Sequence, residues 1–238
     1  MEPSSSVPLA RPYRVRPPVA PPTAAAAASH QQSLEALEVF ASTVTARKDA
    51  ELYAQGDTAH YCYRILRGCV RTVKLMEDGR RQVNEFLFAG DWFGFDALQA
   101  HDFAAEAVSD VVLQRYPRHA CDTMAAADVR IAGSLLSLAT SNLRSARDRM
   151  VTLGRKTASE RIAGFLLEMT RRMPQDGDGV VALPMNRGDM ADHLGLTIET
   201  VCRCLAQFRR DGTIRLTRTS LAVQNREALR SIGSATRH

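Results

Sequence analysis

The sequence predicts an α+β chain: an N-terminal antiparallel β-roll of jelly-roll type, one long helix, and a C-terminal winged helix-turn-helix. Three observations carry this. Turn signals recur about every dozen residues between positions 49 and 118, beside short β-rich runs. From Asp122 the apolar spacing becomes helical and stays so without proline to residue 154. Near the C-terminus two helix patterns meet at a glycine and are followed by a strand-like alternation.

In chain order, residues 1–30 are rich in Pro, Ala and Ser, show no periodicity, and are expected to be a disordered tail. "SLEALEVFAST" places Leu34, Leu37, Val39 and Phe40 near helical spacing, so a short helix should open the folded part. A β-roll is assigned to 31–121, where Gly56-Asp57, Arg67-Gly68, Asp78-Gly79 and Gly90-Asp91 separate runs such as "YCYRIL" and "CVRTVKL". Arg64, Arg67, Arg71 and Lys74 alternate partly with apolar residues, the pattern of strands with one wet face.

A helix over 122–154 carries Ile131, Leu135, Leu138, Asn142, Ala146, Met150 and Leu153 at three-and-four spacing. Two packings are open to it: against a second copy, with Ile131, Leu135, Leu138, Asn142 and Met150 as the dimerisation seam, or against its own roll. The last unit, 155–238, opens with "TASERIAGFLLEMTRRM", capped by Thr157 or Ser159 and burying Ile162, Phe165, Leu166 and Met169. Asp176-Gly177-Asp178-Gly179 lacks the distal glutamate of a calcium loop and reads as a turn.

Asn186 can cap the next helix, Gly195 can end it with positive φ, and Thr197 can cap the one after. Projected at 3.6 residues per turn, Val201, Leu205 and Phe208 share one face. Glu199, Arg203, Ala206 and Arg210 point the other way, Cys202 lies on their flank, and Cys204 lies nearer the core. "TIRLTRTSLAVQN" alternates like a hairpin wing.

The outer face suits double-stranded DNA. Arg can bond guanine O6 and N7 together, and a carboxylate can accept from cytosine N4. Glu199 stands four residues before Arg203, where the two are expected to pair. Thr197, Ile198, Thr200, Arg187 and Arg210 complete the candidate contact set, and Arg209, Arg215 and Arg218 add phosphate-seeking charge. The formal charge of +5 agrees in sign with a polyanionic partner.

Other classes fit less well. No apolar run is long enough to cross a membrane, and the N-terminal arginines precede a proline-broken stretch unlike a signal peptide, so a cytoplasmic protein is expected. Five cysteines without C-x-x-C spacing argue against a disulfide framework or a zinc ribbon. A metal enzyme on a β-roll would want H-x-H plus a carboxylate, and no H-x-H occurs. No metal, cofactor or enzymatic activity is expected, and His60, His101 and His119 read as surface or loop residues.

From about residue 35 to 230 the chain resembles the CRP/FNR superfamily of transcription regulators, in its FixK-type branch. "RGCVRTVKLMEDGRRQVNEFLFAGDWFGFDAL" is similar to the signature of its cyclic-nucleotide-binding-like roll, and "LGLTIETVCRCL" to the recognition element of the FNR-like group. The resemblance implies a homodimer reading a TTGAT-type palindrome and activating RNA polymerase in microaerobic or nitrogen-fixation control. A repressor would share the same reading face. Glu199 and Arg203 match the family's base-reading pair, Cys202 stands where serine is common, and the turn Glu77, Asp78, Gly79 matches a polymerase-contact patch.

The chain also departs from the pattern of the family it resembles. In "GDWFGFDALQAHDFAAEAVSD" Phe95 takes the place of the ribose-binding glutamate, and no arginine follows for the phosphate, so no cyclic-nucleotide binding is expected. With no cysteine before Cys62, an N-terminal iron-sulfur cluster is not expected either. The input signal is left open. Cys202, near a helix N-terminus and arginines, is a candidate redox switch, because oxidation would set negative charge against phosphate.

Overall fold

The computed structural model describes residues 34–95 and 99–234. The expected disordered tail over 1–30 lies outside the described residues. The expected short helix is a 3₁₀ helix, Glu35–Phe40, burying Leu34 and Leu37 and leaving Val39 and Phe40 exposed.

Eight strands build the roll: β1 Ser42–Ala46, β2 Glu51–Tyr53, β3 Tyr61–Arg67, β4 Cys69–Leu75, β5 Arg81–Phe88, β6 Trp92–Phe93, β7 Ala104–Ala107 and β8 Val111–Pro117. They form two antiparallel sheets, ordered β1-β8-β3-β6 and β2-β7-β4-β5. Ile65, Val70, Leu87, Ala105, Val111 and Leu113 fill the space between the sheets together with Tyr53, Tyr63 and Phe93. The Tyr63 and Phe93 rings stack with centroids 5.0 Å apart. His101, expected as a surface or loop residue, lies in a loop but is buried and stacks on Tyr53 at 3.6 Å.

The roll also corrects the wet-face reading of β4. Arg71 is only 8% exposed, because its guanidinium is bonded to Glu106 at 2.6 Å and to Asp189, far along the chain, at 2.9 Å. Such burial of a guanidinium is tolerable only when its donors are met by carboxylates.

The helical region begins earlier than Asp122 and is two helices, α1 Arg118–Ala127 and α2 Val129–Arg155. They break at Asp128, whose extended backbone interrupts α1 and whose side chain caps α2 by accepting from the Arg130 amide. The expected dimerisation seam is divided between covered and exposed residues. Ile131, Leu135 and Leu138 pack on this chain's own Leu37, Trp92, Tyr116 and Cys121, while Asn142, on the same stripe but further along the helix, and Met150 are exposed. The apolar row left uncovered is Val129, Leu136, Leu143 and Met150, at seven-residue spacing, with Ala132, Ala139 and Ala146 interleaved. This is a heptad pattern, with small residues at alternate seam positions.

Helix α3, Ala158–Arg172, starts at a capping box of Thr157 and Glu160, with Ser159 inside the helix. It buries Ile162, Phe165, Leu166 and Met169, as its periodicity predicts. The remaining elements are β9 Val180–Ala182, α4 Arg187–Leu194, α5 Ile198–Arg210, β10 Ile214–Leu216, β11 Ser220–Val223 and α6 Arg226–Ser234. The wing sheet runs β10-β11-β9, and α6 packs on α3. One apolar cluster joins Val73, Val83, Phe86 and Phe88 of the roll to Ile162, Phe165, Leu194 and Val201 of the C-terminal part.

His193 sits at that junction. Its Nδ1–H donates to the Val83 carbonyl at 3.3 Å, between the rings of Phe86 and Phe165. Burial, helped by Arg149 nearby, pushes its pKa down to about 4. The unfolded chain therefore binds a proton that the folded chain refuses between about pH 6.5 and 4, so stability is intact above this window and falls within it. By pH 5 this site is expected to cost about 2 kcal/mol. Urea midpoints at pH 7.5 and 5 should draw closer in His193→Asn than in the unmodified protein.

Candidate nucleic-acid interface

Helix α4 begins at Asn186, whose side chain accepts from the Asp189 amide at 2.9 Å while Asp189 Oδ2 accepts from the Asn186 amide at 3.2 Å. This second capping box fixes the helix start. The turn follows at Gly195, where φ is +61°, and the Leu196 amide donates back to the Ala191 carbonyl at 3.0 Å. A side chain here would be strained by that φ, and its Cβ would stand 3.3 Å from Leu153 Cδ2. Arg161 of α3 holds the turn from below, donating to the Leu194 carbonyl at 2.9 Å and the Leu153 carbonyl at 2.7 Å. Nothing in the local pattern singled Arg161 out.

Thr197 caps α5 by accepting from the Thr200 amide at 3.2 Å. Val201, Leu205 and Phe208 are buried to 0%, 3% and 3% exposure, so the predicted core face is the real one. Thr197, Ile198, Glu199, Cys202, Arg203 and Arg210 are exposed, and Thr200 is half-buried in the cap. The two thiols part as their projection predicts: Cys202 is exposed, and half-buried Cys204 lies 3.8 Å from Ser159 Oγ.

One expected interaction is missing. Among the described residues no ion pair joins Glu199 to Arg203. Glu199 is held on the acidic side of its ordinary pKa by its own backbone N–H and by the Thr197 hydroxyl. At a helix N-terminus the amide dipoles stabilise the carboxylate, so its charge needs no arginine partner. Both side chains are therefore available to a ligand.

Basic residues surround this face. Arg187 is half-buried and donates to the Thr217 carbonyl at 3.0 Å, tying α4 to the wing turn. Burial pushes its pKa down, against the influence of nearby Cys202. Arg210 is anchored to Gln207 at 2.6 Å, while Arg209, Arg215 and Arg218 are exposed. Chemically, α5 offers an acceptor in Glu199, a forked donor in Arg203 and a flanking thiol, bordered by cations: a face matched to base edges and phosphates.

The turn Glu77, Asp78, Gly79 lies far along the roll, exposed between β4 and β5, with Asp78 bonded to Arg80 Nε at 2.7 Å. Among the described residues no helix is long and apolar enough to cross a membrane.

Comparison with known proteins agrees with this architecture. Residues 160–232 match the family model of the Crp-like helix-turn-helix domain, and residues 43–128 that of the cyclic nucleotide-binding domain. The chain is 39% identical to the nitrogen fixation regulation protein FixK of Azorhizobium caulinodans, over 79% of this chain and 77% of that protein. It is 38% identical to the protein of the same name from Rhizobium meliloti, over 79% and 85% of the two chains. The structure of FixK2 from Bradyrhizobium japonicum superposes with a TM-score of 0.79 at 41% identity, covering 83% of this chain and 99% of that one. With the roll, the capped helix-turn-helix and the wing in place, these similarities establish that the chain belongs to the CRP/FNR family of transcription regulators, as a FixK-like member.

Proposed function

We propose that the protein is a homodimeric, cytoplasmic activator that reads a TTGAT-type palindrome in the control of nitrogen fixation or microaerobic genes. The observation that carries this reading is the joint exposure of Glu199, Cys202 and Arg203 on one face of α5, opposite its buried Val201, Leu205 and Phe208. The names of the relatives supply the physiological setting. Dimerisation through the uncovered row Val129, Leu136, Leu143 and Met150 would pair two reading helices over successive major grooves. The exposed turn Glu77, Asp78, Gly79 is available to RNA polymerase.

No cyclic nucleotide is needed in this reading. Tyr53, Tyr63 and Phe93 occupy the interior of the roll. Glu106, a carboxylate in the segment that follows Phe95, is engaged by Arg71 at 2.6 Å. The switch proposed instead is Cys202. Two equivalents of hydrogen peroxide convert its S–H to a sulfinate and release two waters and a proton, placing a negative charge where phosphates approach.

A gel shift on the palindrome with untreated and peroxide-treated protein tests partner and switch together. Untreated protein and Cys202→Ser should both bind, and peroxide should abolish binding only for the former. Equal loss in both would place the switch elsewhere. In vitro transcription from a promoter with a distal site should give more transcript, and a lowered yield would make the protein a repressor.

A further inference from the structure

The reading face leaves one group of charges unexplained. On the roll, Arg71 of β4 and Arg81 of β5 turn toward α4, where they meet Asp189 and Asp192. The Asp189 side chain is 2% exposed and divides its work between its two oxygens. Oδ2 closes the capping box on the Asn186 amide, and Oδ1 accepts from Arg71 Nη1 and Arg81 Nη2, each at 2.9 Å. Three residues on, and so on the same side of the helix, Asp192 Oδ2 accepts from Arg81 Nη2 at 2.7 Å. Gln82 adds a bond to the Asp192 carbonyl. Glu106 holds Arg71 from behind at 2.6 Å.

This arrangement does something that the apolar cluster beside it does not. Packed apolar faces can slide by small amounts at low cost, whereas a forked guanidinium bonds carboxylates only in defined directions. One anchor would act as a pivot. Two anchors along one helix, at Asp189 and Asp192, fix its direction. Helix α4 is joined to α5 by only Gly195, Leu196 and Thr197, so the direction of α4 sets that of the recognition helix. In the clamped arrangement Glu199, Cys202 and Arg203 stay exposed, so the clamp and a bound duplex are compatible.

We propose that Arg71 and Arg81 are positioning residues for operator reading: by gripping Asp189 and Asp192 they set the angle at which the roll presents α5, and hence the half-site spacing the protein accepts. This rests on the palindrome-reading dimer proposed above. The clamp touches no base or phosphate, so it acts on spacing and leaves the recognition of a single half-site alone.

The test uses the full chain and fluorescence anisotropy on duplexes carrying the same two half-sites with the spacer unchanged, one base pair longer and one shorter, and on a single half-site. The variants are Arg81→Asp, Asp192→Arg and the two combined, with Arg81→Gln and Arg71→Lys as milder changes. Arg81 and Asp192 are each 30% exposed, so a reversal of charge there meets solvent as well as its partner. Each charge-reversed single variant should lose about tenfold on the best spacing, the size of coupling typical of residues sharing one network. Its preference among the three spacings should flatten while binding to the single half-site is unchanged. The combined reversal should regain both affinity and spacing preference, which a merely destabilised fold would not do.

An unchanged spacing preference in the single variants overturns the proposal. So does an equal loss on every duplex, or tighter binding, which would make the clamped form the inactive one. If a charge-reversed variant does not fold, Arg81→Gln and Arg71→Lys decide by the same flattening. Unmodified protein that prefers no palindrome would instead sink the operator reading on which the clamp depends.

Discussion

Alanine at Arg203 is expected to weaken the operator complex by about 1–3 kcal/mol and to relax discrimination at one base position, because a forked guanidinium reads guanine through two bonds at once. Glu199→Ala should act similarly at a neighbouring cytosine. Arg203 and Glu199 are both exposed and form no ion pair with each other, so neither substitution strands a charge inside the protein. Folding stability should change little. Arg218→Ala, at an exposed position in the wing turn, is the contrast. It should weaken all sequences alike and reduce the dependence of log K on log salt by about one. Anisotropy titrations on single-base operator variants at two salt concentrations separate these behaviours. An Arg203→Ala protein that keeps full discrimination at every position would remove α5 from the role of base reader.

Gly68→Ala is expected to be the most damaging single methyl group in the roll. Gly68 links β3 to β4 with φ at +97°, and a Cβ there would lie 2.4 Å from the Asp110 carbonyl oxygen and 2.8 Å from Val111 Cγ1. The first neighbour is backbone, held by the strand β8 that follows, and cannot swing aside. Backbone strain and steric overlap together should cost about 4 kcal/mol, the range reserved for a forced shift at a special φ. Gly79→Ala is the matched control: its φ is +83°, but a Cβ there meets nothing within 4 Å. Only the conformational part remains, about 1 kcal/mol. Denaturant midpoints of the two variants should therefore differ widely.

The contrast between these glycines also marks how far the sequence could be read. Both stand in turn dipeptides, Arg67-Gly68 and Asp78-Gly79, and the strand boundaries follow from them. Which one is crowded depends on β8, some forty residues away, and no local pattern carries that. The reading helix was legible because its information is local: Thr197 caps, Gly195 turns, and Val201, Leu205 and Phe208 repeat at helical spacing. The fate of Arg71 was not. In sequence it sits in an alternating strand among other cations, and only the arrival of Asp189 from the far end of the chain buries it. The same applies to α2, whose two apolar stripes are both genuine. Sequence spacing could not tell the stripe covered by Trp92 and Tyr116 from the one left open, because the cover comes from strands distant in sequence.

The apolar cluster that runs from Phe86 and Phe88 into Phe165, Leu194 and Val201 bears on how the reader could be separated from the rest of the chain. A fragment cut between α2 and α3 would carry away the helix-turn-helix but expose the oily flank that Val83 and Phe86 cover in the whole protein, and the roll left behind would be bared in the same way. The two parts should melt in one transition, and a fragment made alone should be prone to associate with itself. Transplanting this reader onto another roll would therefore require bringing the outer face of β4 and β5 with it.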